Sequence, residues 1–389
     1  MALFWIMQAL VYAGDVGLPG TNASSNLCMT NTLDPKRVKG KIVLCDRGVS
    51  ARAAKGMVVK KAGGEGMILA NAETNGEELI ADSHVLPAAL VGYQAGLAIK
   101  AYLNNIAASR ATVSLDFSGT VLGVKPAPVM AAFSSRGPNP ANPEILKPDV
   151  TAPGVNILAA WTDKAGPTEL PGDDRVVPFN IMSGTSMSCP HASGLAALLK
   201  GAYPHWSPSA IKSALMTTAY NRDNSGSNNG LLDGADISLD STPFAFGAGH
   251  VDPPKALNPG LVYDLGPQDY VDFLCALNYS DTMLVSLTKE KYKCSSSKSL
   301  SPSNLNYPSF SLVFNQGAGT ATRFSATLTR TVTNVGEANS EYNVKAVAPN
   351  GVTIKVEPTT LAFSRVNEKK SYTLTCDASI LKGLSPEES

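Results

Sequence analysis

Net charge is the first thing this sequence lacks. Thirty-two Lys and Arg balance 32 Asp and Glu, so there is no electrostatic case for a nucleic-acid or anionic-membrane surface. No apolar run reaches the roughly 20 residues of a membrane span. The longest, Ala2 to Gly14, has no basic residue ahead of it and reads as a truncated start rather than a secretion leader. The six cysteines form no Cys-x-x-Cys and no metal-ligand spacing, which leaves no reason to expect a metal or other cofactor. Histidine is scarce, with four in 389 residues. A hydrophobic share of 44% with 16% charged residues is ordinary globular composition, and the length allows two or three domains with real cores.

One stretch carries chemistry: Asn180 to Lys200, with Ser183-Gly-Thr-Ser186 opening a helix whose inner positions include Ala192, Ser193, Gly194, Ala196 and Ala197. Side chains this small let a helix backbone lie close to a sheet. They also present Ser186 at a helix N-terminus, where unpaired N–H groups and the macrodipole favour negative charge. A tetrahedral acyl intermediate carries that charge, so Ser186 is the candidate nucleophile and its own N–H a candidate oxyanion donor.

Gly184-Thr-Ser-Met187 with Pro190-His191 resembles the active-serine motif of the subtilisin-like serine proteases. Ala132-Phe-Ser-Ser-Arg-Gly-Pro138, Leu146-Lys-Pro-Asp149 and Ala152-Pro-Gly154 precede it, and Gly247-Ala-Gly-His-Val-Asp-Pro253 and Asn258-Pro-Gly-Leu-Val-Tyr-Asp264 follow. Together they extend the resemblance to plant-type subtilases over residues 10 to 375. It implies a multidomain α/β fold: a protease-associated domain over 1–122, the C-terminal part of a parallel-sheet catalytic domain over 123–300, and a truncated fibronectin-III-like sandwich over 301–389. It further implies protein or peptide substrates, an extracellular location and a homodimer contact through the protease-associated domain.

Local patterns fit that frame. Lys41–Cys45 and Met67–Ala70 read as buried strands around a helix from Ala51 to Ala62 that Gly63-Gly64 ends. Val85–Val91, a helix Gln94–Asn104 and a strand Ala111–Phe117 follow. Val129–Phe133 and Val155–Ala160 read as short strands, and Ser207-Pro208 starts a core helix. From Leu305 the period changes to two, giving strands at Ser309–Phe314, Ala326–Val332, Tyr342–Val347, Val352–Val356, Thr360–Phe363 and Ser371–Cys376. A sandwich of this kind needs about seven strands, so one is missing.

A serine hydroxyl needs a base, and the base needs an orienting group. In subtilases both precede the serine, yet only His84 precedes Ser186, and neither Asp-Thr-Gly nor His-Gly-Thr-His occurs. The Gly-Asn segment with the side-chain oxyanion donor is also absent. His191, five residues on, does not share a helical face with Ser186 and is expected in the core; His205 and His250 sit in turns. Cys189 is expected as a buried inert thiol, Asp149 as structural, and a Ser-Lys pairing with Lys200 or Lys212 is set aside because those lysines lie at helix ends or exposed faces.

Two readings of different class follow. One is a serine endopeptidase whose aspartate, histidine and asparagine are missing, leaving an inactive fragment. The other is a non-catalytic pseudoprotease or binding protein. Cys28 with Cys45 and Cys275 with Cys294 are expected to be bonded, each closing a short loop that contributes about 3 kcal/mol. The sequons at Asn22 and Asn278 point with them to the secretory pathway.

Overall fold

The structure is a computed structural model that describes residues 7–106, 110–116, 119–226, 230–234, 238–292, 294, 301–313 and 323–379. It divides into two compact units. The first comprises residues 1–134, 153–190 and 222–241, the second 135–152, 191–221 and 242–389.

Runs of β-branched and apolar residues build the centre of the first unit. Strands β1 (Gln8–Tyr12), β2 (Ile42–Asp46), β3 (Gly66–Ala70) and β4 (Ala88–Val91) are parallel, and β5 (Thr112–Val113) lies antiparallel to β1, in the order β4-β3-β2-β1-β5. The second half of the apolar run at Ala2–Gly14 is thus built into a sheet. Both faces are covered, so β2 and β3 read as continuous apolar runs instead of alternating ones. Val43, Cys45, Met67 and Leu69 pack on the face that also holds Val58 and Val59 of the Arg52–Lys61 helix. Ile42, Leu44, Ile68 and Ala70 pack on the other, with Ile99 and Leu103 of the Tyr93–Asn105 helix. Gly63, at φ +85°, follows the first helix in the left-handed conformation that ends helices. A disulfide joins Cys28 to Cys45. The expected strand Ala111–Phe117 is shorter, because only Gln8 and Ala9 of β1 pair with it; Phe117 lies outside the described residues.

The same unit holds β6 (Val129–Met130), β7 (Ile157–Ala160), β8 (Phe179–Met182) and β9 (Leu232–Asp233). β6 pairs in parallel with β9 and β7 antiparallel with β8.

In the second unit Ser207 caps the Pro208–Thr217 helix by accepting from the Ala210 N–H at 3.0 Å. Ile211, Ala214 and Leu215 of that helix pack with Leu199 and Trp206. Farther on come β10 (Leu261–Val262), β11 (Arg323–Asn334), β12 (Ser340–Asn343), β13 (Val352–Glu357), β14 (Thr360–Phe363) and β15 (Lys369–Ser379). They form an antiparallel sheet β10-β11-β15-β13 and a two-stranded sheet β12-β14. One edge of the larger sheet therefore comes from Leu261–Val262. A second disulfide joins Cys275 to Cys294. Among the described residues no helix is long and apolar enough to cross a membrane.

In the second unit two expected strands differ, and in the first the strand expected over Val129–Phe133 ends at Met130. Ser309 to Val313 is not a strand, and Phe314 lies outside the described residues. Side chains take the place of a strand along β11: Asn306 pairs with both backbone groups of Thr331 (2.8 Å each), and Asn304 accepts from the Thr329 N–H. The 3% exposed Arg330 then donates to the carbonyls of Tyr307, Ser303, Thr329 and Ser309 at 2.9 to 3.0 Å. The strand expected over Tyr342–Val347 stops at Asn343, with one further pairing bond from the Val344 N–H to Thr359 O at 2.9 Å.

Arg330 satisfies carbonyls that no ladder reaches. Arg330→Met should lower unfolding free energy by about 3 kcal/mol or more, since each orphaned buried carbonyl costs about 1–3 kcal/mol. Arg330→Lys should recover little, because an ammonium cannot fork to four acceptors. Urea midpoints measure both, and a Met variant as stable as the parent would show that water replaces the guanidinium.

Candidate active site

Strand β8 runs into Ser183-Gly184, and the helix begins at Thr185, so Ser186 is its second residue. The turn is fixed from the side by the chain that enters β7. Gly184 N–H donates to Gly154 O at 2.8 Å, and Asn156 N–H donates to Ser183 Oγ at 2.7 Å. A Cβ on Gly154 would sit 2.2 Å from Ser188 Oγ, so only glycine permits this approach.

The first-turn N–H groups of a helix have no partner within it. Here Met187 N–H is taken up by Gly184 O at 3.0 Å, while the Ser186 N–H belongs to that first turn. Pro190 lies inside the helix; lacking an N–H, it leaves the Ser186 carbonyl without its ladder donor. Ser186 is exposed. Hydroxyl and N–H therefore stand together at the positive end of an 18-residue helix, an arrangement suited to stabilising an oxyanion.

The histidines have surroundings of their own. His84 belongs to the segment after β3. Its Nδ1 is buried with no hydrogen-bond partner, and it would touch a Cβ on Gly56 at 3.3 Å. Burial lowers its pKa, against the opposing pull of Asp82, whose carboxylate lies 3.9 Å from Nε2. His205 meets Tyr203 edge-on. His250 Nδ1 lies 3.1 Å from Val251 O, and burial depresses its pKa. His191 sits half-buried on the helix of Ser186 itself.

The other candidates have structural partners. Asp149 accepts from Lys147 Nζ at 2.9 and 2.8 Å and from the Tyr307 hydroxyl, with Lys212 Nζ 3.6 Å away. Burial, then the Asp149 charge, pushes the Tyr307 phenol far up. Lys200 Nζ closes the helix end on the carbonyls of Pro204 and Trp206 at 2.7 and 2.9 Å. Asn278 is exposed with φ +65°, and Asn22 starts a short helical turn, Asn22–Ser25.

Two expectations about the helix are corrected. Cys189 is exposed, not buried, and stays a thiol. The small-residue face lies open: Ser186, Cys189, Ser193 and Ala197 are exposed and only Leu199 is buried. The physical reason lies in the strands before it. β7 and β8 form a two-stranded antiparallel pair, not a broad parallel sheet, and leave Leu158 66% and Phe179 59% exposed.

Three residues at the turn escaped sequence reasoning: Asn156, Asn180 and Arg175. Asn156 adopts φ +55°, and an asparagine two residues after Pro-Gly is the signal that marks such a turn.

A model of the subtilase family matches residues 22–249, more than half the chain, and one of a fibronectin type-III domain matches residues 304–385. The chain belongs to the subtilase family, with a subtilisin-like α/β part followed by a fibronectin-III-type β domain. It is 57% identical over 367 residues to Subtilisin-like protease SBT1.7 of Arabidopsis thaliana, covering 94% of this chain and 46% of that protein. Subtilisin-like proteases SBT1.6 and SBT1.5 of the same plant are each 51% identical, over 95% and 98% of this chain and 47% and 49% of theirs. The chain thus spans about half the length of the curated relatives it matches.

The exposed thiol is directly testable. Under native conditions a maleimide should modify Cys189 within minutes and leave the buried Cys376 untouched until denaturant is added, as read by peptide mass spectrometry. Slow modification of Cys189, matching Cys376, would restore the expectation that this face is covered.

Proposed function

We propose that Ser186 is the nucleophile of a secreted serine endopeptidase, and that this chain by itself lacks the base, orienting carboxylate and side-chain oxyanion donor that the reaction needs. The observation that carries the reading is Ser186, exposed at the second position of a helix whose entry is fixed by Gly154 and Asn156. Ser186 Oγ would bond to the scissile carbonyl carbon, its proton passing to a base, while the Ser186 N–H holds the resulting oxyanion. Collapse breaks the C–N bond, the amine leaves with the proton, and water later releases the acyl group. The substrates are proteins or peptides. Two disulfides and the exposed sequon at Asn278 support an oxidising, secretory setting for the protein, and the α/β module of β1–β5 fits a protease-associated domain.

Without a base the hydroxyl keeps its proton through the attack. In subtilisin, the family's namesake, removing the serine or the histidine alone lowers kcat about 2 × 10⁶-fold, a measured value adopted here. Because such groups act as a unit, the loss in this chain should be of that order. A fluorophosphonate probe should accordingly label the purified chain no faster than its Ser186→Ala variant. Stoichiometric labelling that disappears in the variant would show an activated serine and a base supplied from within the chain. The non-catalytic alternative, a pseudoprotease that binds partners, rests on the same placement of the histidines.

A further inference from the structure

The loop from Glu78 to His84 has no regular secondary structure, yet its backbone is tied to the strands that lead to Ser186. Asn156 is the centre of this joint. Its Oδ1 accepts from the Ala81 N–H at 2.8 Å and from Ser183 Oγ at 3.3 Å, and its Nδ2 donates to Leu79 O at 3.4 Å. One carboxamide therefore grips the loop on one side and the residue three before Ser186 on the other. Its backbone N–H adds the 2.7 Å bond to Ser183 Oγ.

Three further contacts run in parallel. Ser83 Oγ donates to Asn180 Oδ1 at 2.5 Å, and the same oxygen accepts from the Ile181 N–H at 2.9 Å within β8. Arg175 donates to Ser83 O at 2.6 Å and His84 O at 3.0 Å. Its guanidinium is held by both oxygens of Asp173, at 2.7 and 2.8 Å. Glu78 Oε1 accepts from the Ala132 N–H at 3.0 Å. Within the N-terminal module the loop is anchored by Asp82, which takes a bidentate pair from Arg52 at 2.6 and 2.8 Å, and by Asn71, which donates to Glu78 O at 2.8 Å.

We infer that Asn156 is a positioning residue for the nucleophile: its carboxamide couples the Glu78–His84 loop to the Ser183-Gly184 turn and so fixes where the Ser186 hydroxyl and N–H point. The inference rests on the reading of Ser186 as nucleophile and deepens it, because it makes the loop of the N-terminal module a means of regulating that site. A protein or peptide that displaced the loop would loosen the turn without touching Ser186. Left-handed backbone at position 156 suits asparagine and glycine, so Asn156→Gly removes the carboxamide without adding backbone strain. Asn156→Asp keeps the oxygen that receives Ala81 and Ser183, and exchanges the donor to Leu79 for a negative charge.

Hydrogen exchange on the chain tests the coupling. In Asn156→Gly the amides of Gly184 and Met187 should exchange about tenfold faster or more, together with Ala81, while β2 and β3 amides stay unchanged; Asn156→Asp should stay within about threefold of the parent. Loss of protection at Ala81 alone, with Gly184 and Met187 unmoved, would overturn the proposal. A second readout uses Ser186→Cys in a Cys189→Ala background, where the pH profile of alkylation reports the helix N-terminus acting on the introduced thiol. That profile should move towards an ordinary thiol when Asn156→Gly is added and return with Asn156→Asp. An ordinary profile in the Ser186→Cys parent would sink the reading of Ser186 as a helix-activated nucleophile; the exchange result would still decide the joint by itself.

Discussion

Every turn in a folded chain must find partners for backbone groups that no helix or ladder reaches, and here the asparagine carboxamide is the group that most often supplies them. It carries an acceptor and two donors in one plane, so it can replace a stretch of strand or join two loops. Asn71 accepts from Arg47 and donates to the carbonyls of Gly76 and Glu78. Asn156 and Asn180 do the same work in the strands that lead to Ser186. In the second unit Asn306 pairs with Thr331 in the manner of a neighbouring strand, and the fully buried Asn334 holds Glu337 O and the Gly336 N–H. Replacing any of these with aspartate exchanges two donors for a charge.

Buried charges follow the same logic. Arg330 meets no carboxylate in its network; four carbonyl dipoles surround it, and its guanidinium stacks 4.6 Å over Phe310. Such a group stabilises only while every donor is used, since removal of one partner from a buried charge is expensive. Lys55, also fully buried, donates to Leu27 O at 2.5 Å, and burial lowers its pKa. The sign of linkage is the reverse of the ordinary lysine pair: with a folded pKa below the unfolded one, charging this amine opposes folding as pH falls. Asp173 behaves in the opposite sense. Hydrogen bonds from Arg175 hold its carboxyl far below the usual range, so its contribution is present above the unfolded pKa and fades as acid protonates it.

What the residues disclosed depends on range. Ile42–Asp46 and Gly66–Ala70 were legible because a parallel strand covered on both faces needs apolar residues at every position, a purely local demand. Ser207-Pro208 announced a helix start for an equally local reason. At the strand expected from Ser309, the Ser309 carbonyl is instead taken by Arg330, 21 residues later. Ala81 and Ser83, the loop partners of Asn156 and Asn180, lie 75 and 97 residues away, and nothing near either asparagine marks them. The small residues of the Thr185–Ala202 helix do not lie against a sheet as expected: a Cβ on Gly194 would meet nothing within 4 Å. They could not signal which face would stay open, because smallness permits contact without requiring it.

That distinction bears on the catalytic question. Acyl transfer needs charge stabilisation and proton transfer, and the two make unlike demands on structure. Charge stabilisation needs N–H groups held in place, and backbone contacts over a few residues can hold them, as Gly154 O does with the Gly184 N–H at 2.8 Å. Proton transfer needs a titratable side chain within about 3 Å of the hydroxyl and a second group behind it, both delivered from elsewhere in the fold. His84, whose Nδ1 is buried without a hydrogen-bond partner and whose pKa burial lowers, packs within the N-terminal module. Ser186, Cys189, Ser193 and Ala197 are each exposed and carry no side chain larger than a thiol. The two demands thus differ in range: N–H placement is a matter of a few consecutive residues, whereas proton transfer needs side chains brought together from distant segments.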